Sequence, residues 1–127
     1  MKSEKGFSLI EVMLAIALMG VVAVAFLGAL ATGSRAIFIA DERATAESLA
    51  RTEMEYVRNQ NYDADNNPPQ YALIPDIPDG YDIEVTAERL DPNGDGTDTD
   101  DGIQKITVVI KHLDKEIFAL EGYRSWR

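Results

Sequence analysis

The sequence predicts an α+β fold, in which one long N-terminal α-helix packs on a small antiparallel β-sheet. Two observations predict the helix: an apolar segment over residues 12–31, and beyond it apolar residues at three- and four-residue spacing as far as Arg58. A third observation predicts the sheet, because apolar and polar residues alternate in three short runs between Tyr81 and Tyr123. Successive strands joined by turns form a meander, and the amphipathic half of the helix would cover its apolar face.

The first half of the predicted helix is suited to lipid. Val12 to Ala31 carries no charge, and twenty helical residues span about 30 Å, the thickness of a bilayer's hydrocarbon layer. Lys2 and Lys5 precede it, which favours a cytoplasmic N-terminus with the C-terminal bulk outside. Three interpretations are open: a cleaved secretory signal, a plain single-pass anchor, or an anchor that is processed at its boundary. The first is disfavoured because the run is longer than a usual signal and lacks a clear small-x-small exit.

Glu11 stands at the edge of this apolar segment, where a buried and unpaired carboxylate would cost several kcal/mol. One interpretation places its carboxylate in water, at the depth of the lipid headgroups. The other supplies a cationic partner from a second chain, because two buried charges that pair cost far less than either alone.

The N-terminal boundary of the apolar segment reads Gly6-Phe7-Ser8-Leu9-Ile10-Glu11. This motif, followed by the apolar run, resembles the class III signal of type IV prepilins and type II secretion pseudopilins. The resemblance implies that a membrane aspartyl prepilin peptidase cleaves after Gly6 and methylates the new amino group of Phe7. It also implies a pilin-like fold, and an assembly in which Glu11 of one subunit neutralises the Phe7 amine of its neighbour.

Together with the hydropathy pattern, the resemblance implies a division of the chain and a set of partners. The leader peptide would be 1–6, the transmembrane and filament-core helix 7–34, the amphipathic helix 35–60 and the β-sheet head 61–127. The partners would be other pilin or pseudopilin subunits, the prepilin peptidase and the inner-membrane assembly platform. The protein would lie in the inner membrane, with its N-terminus in the cytoplasm and its head outside, and after assembly in a pilus or pseudopilus.

The glycines of the apolar segment bear on the type of subunit. Major type IV pilins commonly carry a proline in this stretch, whereas this chain has none before Pro68 and instead has Gly20, Gly28 and Gly33. This departure favours a minor pilin or a pseudopilin. The run over residues 46–55 is similar to the PilV and pseudopilin-I types.

The elements beyond Arg35 follow from periodicity. The helical stripe that would lie on a core consists of Ala46, Leu49, Ala50, Met54 and Val57. The alternating charges Arg43, Glu47, Arg51 and Glu55 at four-residue spacing mark a solvated face. The three strands contain the alternating apolar residues Tyr81, Ile83, Val85 and Ala87, then Ile106, Val108 and Ile110, then Phe118 and Leu120 within 117–123.

An acidic loop over residues 91–102 separates the first two strands. Asp91, Asn93 and Asp95 match the opening of an EF-hand loop, D-x-N-x-D-G, in which alternate side chains turn inward to supply oxygen ligands for calcium. The main-chain carbonyl of Thr97 would add a further oxygen. Gly102 stands where that motif has its bidentate Glu, so Asp100 or Asp101 would have to substitute for it, although neither is in register. The alternative is a solvated acidic loop without a metal.

Composition and motifs argue against two other classes of function. The chain has 22 Asp and Glu residues against 12 Lys and Arg, a net charge of −10, with no basic cluster, so no nucleic-acid partner is expected. There is no cysteine, and the sole histidine, His112, has no catalytic motif around it, so no enzymatic activity is expected. The two hypotheses are therefore a filament subunit and a single-pass membrane protein that does not assemble, whose head binds calcium or a partner.

Overall fold

A computed structural model describes residues 6–126, so the leader residues 1–5 lie outside the described part of the chain. The element order is α1 (Leu9–Asn59), β1 (Tyr81–Arg89), β2 (Ile103–His112) and β3 (Lys115–Ser125). The predicted α+β fold class, a long N-terminal helix and a three-stranded antiparallel sheet, is confirmed. The chain divides into two compact units, Met1–Ile39 and Ala40–Arg127. We call them the N-terminal unit and the C-terminal unit.

In the N-terminal unit, α1 begins at Leu9, two residues later than the sequence predicts. The difference has a local cause: the hydroxyl of Ser8 accepts the main-chain N–H of Glu11, and the Ser8 carbonyl accepts the N–H of Val12. These are the bonds of a helix N-cap, which satisfies a donor that otherwise has no partner in the first turn. Ser8 therefore stands outside the helix, as do Gly6 and Phe7.

The apolar side chains of the N-terminal unit have no protein cover. Phe7, Met19 and Phe38 are 82%, 75% and 72% exposed, and the most apolar eighteen-residue window of α1 is not buried at all. Exposed apolar area costs about 25 cal/mol per Å² in water, so this surface requires lipid or other apolar helices around it. By length and composition, α1 is able to cross a membrane.

The C-terminal unit contains the sheet, in the order β1-β2-β3, with antiparallel pairing throughout. The third strand is longer than the predicted 117–123 by two residues at each end. A two-residue turn, Leu113-Asp114, joins β2 to β3, and both residues have positive φ (50° and 64°). Two-residue hairpin loops of this kind match the right-handed twist of the strands they connect.

One face of this sheet packs on the C-terminal part of α1. The predicted stripe is buried at Ala46, Ala50, Met54 and Val57, with Leu49 packed against it. The helix is close enough to β3 that a Cβ placed on Gly122 would lie 3.1 Å from the sulfur of Met54. The sheet contributes the alternating residues Ile83 and Ala87 from β1, and Ile106, Val108 and Ile110 from β2.

The core face of the sheet ends on a row of three polar residues, one from each strand. Arg89 is opposite Gln104, and Gln104 is opposite Arg124, in the register of the strands. Gln104 is fully buried, donates to the Asp63 carbonyl at 2.7 Å and accepts the Tyr71 hydroxyl at 2.5 Å. The row therefore fastens the connection between α1 and β1 to the sheet.

The two arginines of this row bind main-chain carbonyls. Arg89 donates to the carbonyls of Ala64, Asn66 and Asp98, which ties the acidic loop to the α1–β1 connection. Arg124 donates to the carbonyls of Val57 and Gln60, at the end of α1. Carbonyls in the last turn of a helix have no partner within the helix, so the guanidinium caps α1.

Candidate functional site

The predicted cleavage bond, between Gly6 and Phe7, lies in non-helical backbone two residues before α1 begins. A Cβ placed on Gly6 would meet no atom of the chain within 4 Å, so nothing inside the described protein requires glycine there. Phe7 is 82% exposed. Both residues of the bond are therefore exposed, and a second protein can contact it.

Glu11 lies in the first turn of α1, beside the predicted new N-terminus. Its side chain borders a shallow apolar hollow of about 360 Å³, together with Phe7, Val12, Ile16 and Met19. Within residues 6–126 no cationic side chain forms an ion pair with it. A carboxylate in the first turn of a helix is stabilised by the helix dipole.

In the acidic loop, three of the predicted calcium ligands lie together. Asp91, Asp95 and Asp101 each offer a carboxylate oxygen, and the three oxygens lie within 4.8 Å of one another. Asp91 accepts the main-chain N–H groups of Gly94, Asp95 and Gly96 at 2.7, 3.0 and 2.9 Å. Of these, the bond from Gly96 contributes most to holding the pKa of Asp91 below its usual value. Asp91 thus shapes the loop, because these bonds turn the chain around its carboxylate.

The other three predicted ligands have different surroundings. The Asn93 amide donates to Oδ1 of Asp101 at 3.0 Å, so Asn93 adjoins the cluster. The carbonyl of Thr97 accepts the side-chain amide of Asn67 at 3.2 Å. Oδ1 of Asp100 accepts the Tyr62 hydroxyl at 2.7 Å and is outside the three-carboxylate cluster. The structure therefore brings Asp101, and not Asp100, to Asp91 and Asp95.

The chemistry of this cluster fits a hard divalent cation. Calcium binds carboxylate and carbonyl oxygens, and three carboxylates this close repel one another in the absence of a counter-charge. The Oδ2 atom of Asp101 is buried and has no hydrogen-bond partner among the described residues. A cation between the carboxylates would relieve the repulsion. Asp91, Asp95 and Asp101 are the residues that would hold it.

Two further buried polar sites are absent from the sequence predictions. Glu53 is fully buried on the apolar face of α1; its Oε2 accepts the N–H of Ile74 at 3.0 Å, and its Oε1 has no partner among the described residues. Burial raises the pKa of Glu53, and the bond from Ile74 opposes that shift. Spacing contained the signal, because Glu53 follows Ala50 by three residues and precedes Val57 by four, within the core stripe.

Strand alternation contained a similar signal for the polar row. Arg89 has the same parity as Ile83 and Ala87, and Gln104 has the same parity as Ile106. Side chains two residues apart lie on one face of a strand, so these polar residues had to continue the core face. Periodicity does not reveal what they would bind, because their partners lie 9 to 41 residues away along the chain.

His112 is held by two neighbours. Its Nδ1 lies 2.6 Å from Oε1 of Glu42, and its ring stacks on Tyr81 with the ring centroids 4.3 Å apart. His112 thus packs on Tyr81 and makes a polar contact to α1. The predicted charge ladder on α1 forms one ion pair among the described residues, Glu47 with Arg51 at 2.6 Å.

A long N-terminal helix followed by an antiparallel sheet, with an uncovered apolar half behind a glycine-phenylalanine bond, defines a pilin-like architecture. Residues 1–27 match the family model of the prokaryotic N-terminal methylation motif, which is the type IV prepilin-like signature. The motif indicates a type IV pilin-like precursor that is processed at its N-terminus, and it marks structural pilin-type proteins rather than enzymes. It implies a prepilin peptidase and other pilin-type subunits as partners, and with α1 it fits membrane anchoring. No curated protein and no solved structure matches the chain significantly.

Proposed function

We propose that this protein is a structural subunit of a type IV pilus or a type II secretion pseudopilus. In this proposal it is inserted in the inner membrane, cleaved after Gly6 by a prepilin peptidase, N-methylated at Phe7 and assembled through its N-terminal helix. The observation that carries the proposal is the methylation motif at residues 1–27, placed directly on a helix whose apolar residues have no cover within the chain.

The uncovered apolar helix supports both membrane insertion and later assembly. Before assembly, lipid would surround the apolar residues of the N-terminal unit. After assembly, the same residues of neighbouring subunits would surround one another, which keeps the apolar area out of water in both states. A signal that is removed with its apolar segment would leave no such element, whereas cleavage at Gly6 removes only the polar leader.

Glu11 and the amine of Phe7 are proposed to pair between subunits. Cleavage consumes one water and leaves a carboxylate on Gly6 of the leader and a cationic amine on Phe7. The Glu11 carboxylate has no cation partner within residues 6–126, and burial of either charge alone is expensive. Pairing the two offsets that cost and fixes the axial position of one subunit against the next.

A minor pilin or a pseudopilin is the proposed subtype. The helix of this chain continues through Gly20, Gly28 and Gly33 without a proline. Glycines at these positions permit close approach between neighbouring helices. A pilus subunit would be recovered in filaments sheared from the cell surface, whereas a pseudopilus subunit would be absent from them.

The mass of the mature N-terminus tests the proposal. The full chain, expressed in a host with an active prepilin peptidase, is expected to begin at methylated Phe7. Gly6→Val is expected to leave the precursor intact, while Gly33→Ala, a glycine change within α1, is expected to be processed normally. An intact Met1, or cleavage beyond residue 25, would contradict the proposal and favour the non-assembling single-pass protein.

Assembly is tested separately with Glu11. Glu11→Ala is expected to be processed at Phe7 but to enter filaments poorly, because the buried amine then lacks its partner. Glu55→Ala removes an exposed carboxylate from the same helix and is the matched control. Wild-type incorporation of Glu11→Ala would remove the pairing role while leaving the processing intact.

Calcium binding by the acidic loop is a second proposal. It is supported by the three carboxylate oxygens within 4.8 Å and by the unpartnered Oδ2 of Asp101. Titration of the full chain in detergent with CaCl₂ is expected to release or absorb heat and to raise the melting temperature. Asp95→Asn is expected to abolish both effects, whereas Asp98→Asn, an exposed loop residue outside the cluster, should retain them. A wild-type chain with neither response has no site here.

A further inference from the structure

Ser8 determines where α1 starts, and that start lies next to the proposed cleavage bond. Its hydroxyl accepts the Glu11 N–H at 3.3 Å, and its carbonyl accepts the Val12 N–H at 3.1 Å. The side-chain bond satisfies one of the donors that a helix leaves without partners in its first turn. Because Ser8 is the cap, Leu9 is the first helical residue, and Gly6 and Phe7 remain outside the helix.

The start of α1 at Leu9 matters for hydrolysis of the bond between Gly6 and Phe7, because it leaves that bond outside the helix. Proteins that bind a peptide along its backbone take it in extended form, where its N–H and C=O groups are free to pair with the binder. In a helix the same groups bond to residues four positions away. The scissile carbonyl belongs to Gly6, and its availability depends on whether the helix has reached it.

We propose that Ser8 is a positioning residue for N-terminal processing: its hydroxyl stops α1 at Leu9 and keeps the Gly6–Phe7 bond in backbone that a peptidase can bind. This inference rests on the proposed processing after Gly6. It assigns to Ser8 a role in the precursor, because the cap is needed before the bond is cut.

Without the Ser8 hydroxyl, α1 is expected to extend to the nearest upstream residue that can act as an N-cap. Alanine is the strongest helix former and a poor N-cap, so Ser8→Ala favours extension of the helix towards the N-terminus. Gly6 is the nearest upstream residue that is acceptable as a cap, because glycine is tolerated at this position whereas Phe7 has no capping group. With Gly6 as the cap, the Gly6 carbonyl, which belongs to the scissile bond, accepts the Ile10 N–H and is no longer free to pair with a peptidase.

The cap also suits the product. Cleavage leaves an ammonium on Phe7, and a positive charge is unfavourable at the N-terminus of a helix, where the dipole is positive. With Ser8 as cap, that ammonium lies outside the helix by one residue. Glu11, in the first turn, has the charge that this end of the helix favours.

The experiment compares the rate of leader removal among full-length precursors. Wild type, Ser8→Ala, Ser8→Thr and Ser34→Ala are expressed with the prepilin peptidase, and the fraction cut after Gly6 is followed by mass in a pulse–chase. Ser8→Ala is expected to be cut about fivefold more slowly, the size of a typical cap preference. Ser8→Thr, which keeps a capping hydroxyl, should be cut at nearly the wild-type rate, and Ser34→Ala, a serine within α1, should be unaffected.

A second measurement reads the helix start directly. In the uncleaved full chain in detergent micelles, the ¹³Cα shift of Phe7 is expected to be non-helical in wild type and helical in Ser8→Ala, with Phe26 as the helical reference. Equal cleavage rates, or a Phe7 shift that does not change, would overturn the role of Ser8 while wild-type cleavage still supports the proposed function. A wild-type chain that stays uncut would overturn the processing itself and this role with it.

Discussion

Glu42 and His112, seventy residues apart in the chain, lie with Oε1 and Nδ1 2.6 Å from each other. Glu42 belongs to α1, and His112 is the last residue of β2. Both side chains are largely shielded, at 26% and 29% exposure for His112 and Glu42. The contact therefore ties the helix to the sheet beside the β2–β3 turn.

This pair predicts a coupling between the two residues. Glu42→Ala and His112→Ala are each expected to lower the free energy of unfolding by about 1 kcal/mol, with the double variant losing less than the sum. Urea unfolding of the full chain in nonionic detergent measures this through the fluorescence of Trp126, the sole tryptophan, which stacks on Tyr62.

The exposed pair Glu84 and Lys111, at 2.8 Å, is the matched control and is expected to couple more weakly. Strict additivity of Glu42→Ala and His112→Ala would show that the contact contributes nothing to stability.

Arg124 is expected to be more costly to remove than an arginine on the exposed face of α1. Arg124→Ala removes the side-chain donor of the Gln60 carbonyl and leaves the Val57 carbonyl with only the N–H of Gln60, and it is expected to lower the free energy of unfolding by about 2 kcal/mol. Arg124→Lys should recover little, because an ammonium lacks the planar fork that bonds two acceptors at once.

Arg51→Ala provides the comparison, since its side chain is 73% exposed and pairs only across the helix surface with Glu47. Its effect is expected to stay within about 0.5 kcal/mol. Equal losses for the two arginines would contradict the capping role of Arg124.

The free energy of unfolding is expected to depend on pH through the buried carboxyl of Glu53. Burial raises the pKa of Glu53 in the folded protein above 4.5, so the folded state binds this proton more tightly than the unfolded state does. Above the folded pKa the buried charge opposes folding. As pH falls through that pKa towards 4.5, folding takes up a proton and the penalty disappears.

Glu53→Gln is therefore expected to be more stable than wild type at pH 7, with the difference shrinking as the pH approaches 4.5. Urea midpoints for both chains at several pH values measure it, and Glu55→Gln, an exposed residue on the same turn, controls for loss of one charge. A difference that stays constant with pH would contradict the assignment.

Asp91 is expected to shape its loop whether or not calcium binds. Its hydrogen bonds from main-chain N–H groups, chiefly that of Gly96, hold its pKa below 3.8. A depressed folded pKa means that the carboxylate stabilises the loop above the unfolded value, and that this contribution is lost as pH falls through the folded pKa. Asp91→Ala should therefore speed amide hydrogen exchange at Gly94 and Gly96 in EDTA at neutral pH.

Asp98→Ala, which leaves the carboxylate of Asp91 and its bonds in place, is the control for this exchange measurement. Unchanged exchange in Asp91→Ala would show that the loop keeps its conformation without those bonds, and that the role of Asp91 lies elsewhere.

Much of the fold could be read from short-range pattern. The apolar segment 12–31, the stripe from Ala46 to Val57 and the alternation in the strands each follow from one repeat distance, and each has its predicted counterpart in the structure. The start of α1 differs from the predicted Phe7 by two residues, because a local capping bond between Ser8 and Glu11 sets it and hydropathy does not encode such a bond. Glu53 is buried within the stripe, which a repeat of apolar residues alone does not predict because its side chain is charged.

The sequence by itself determined the methylation motif, the apolar anchor and the order of one helix and three strands, because these depend on residues close together in the chain. The tertiary structure alone decided which side chains meet. It placed Asp101 rather than Asp100 beside Asp91, brought His112 to Glu42 and aligned Arg89, Gln104 and Arg124 in one row. These contacts depend on strand register and on where the helix docks, and no local repeat encodes either.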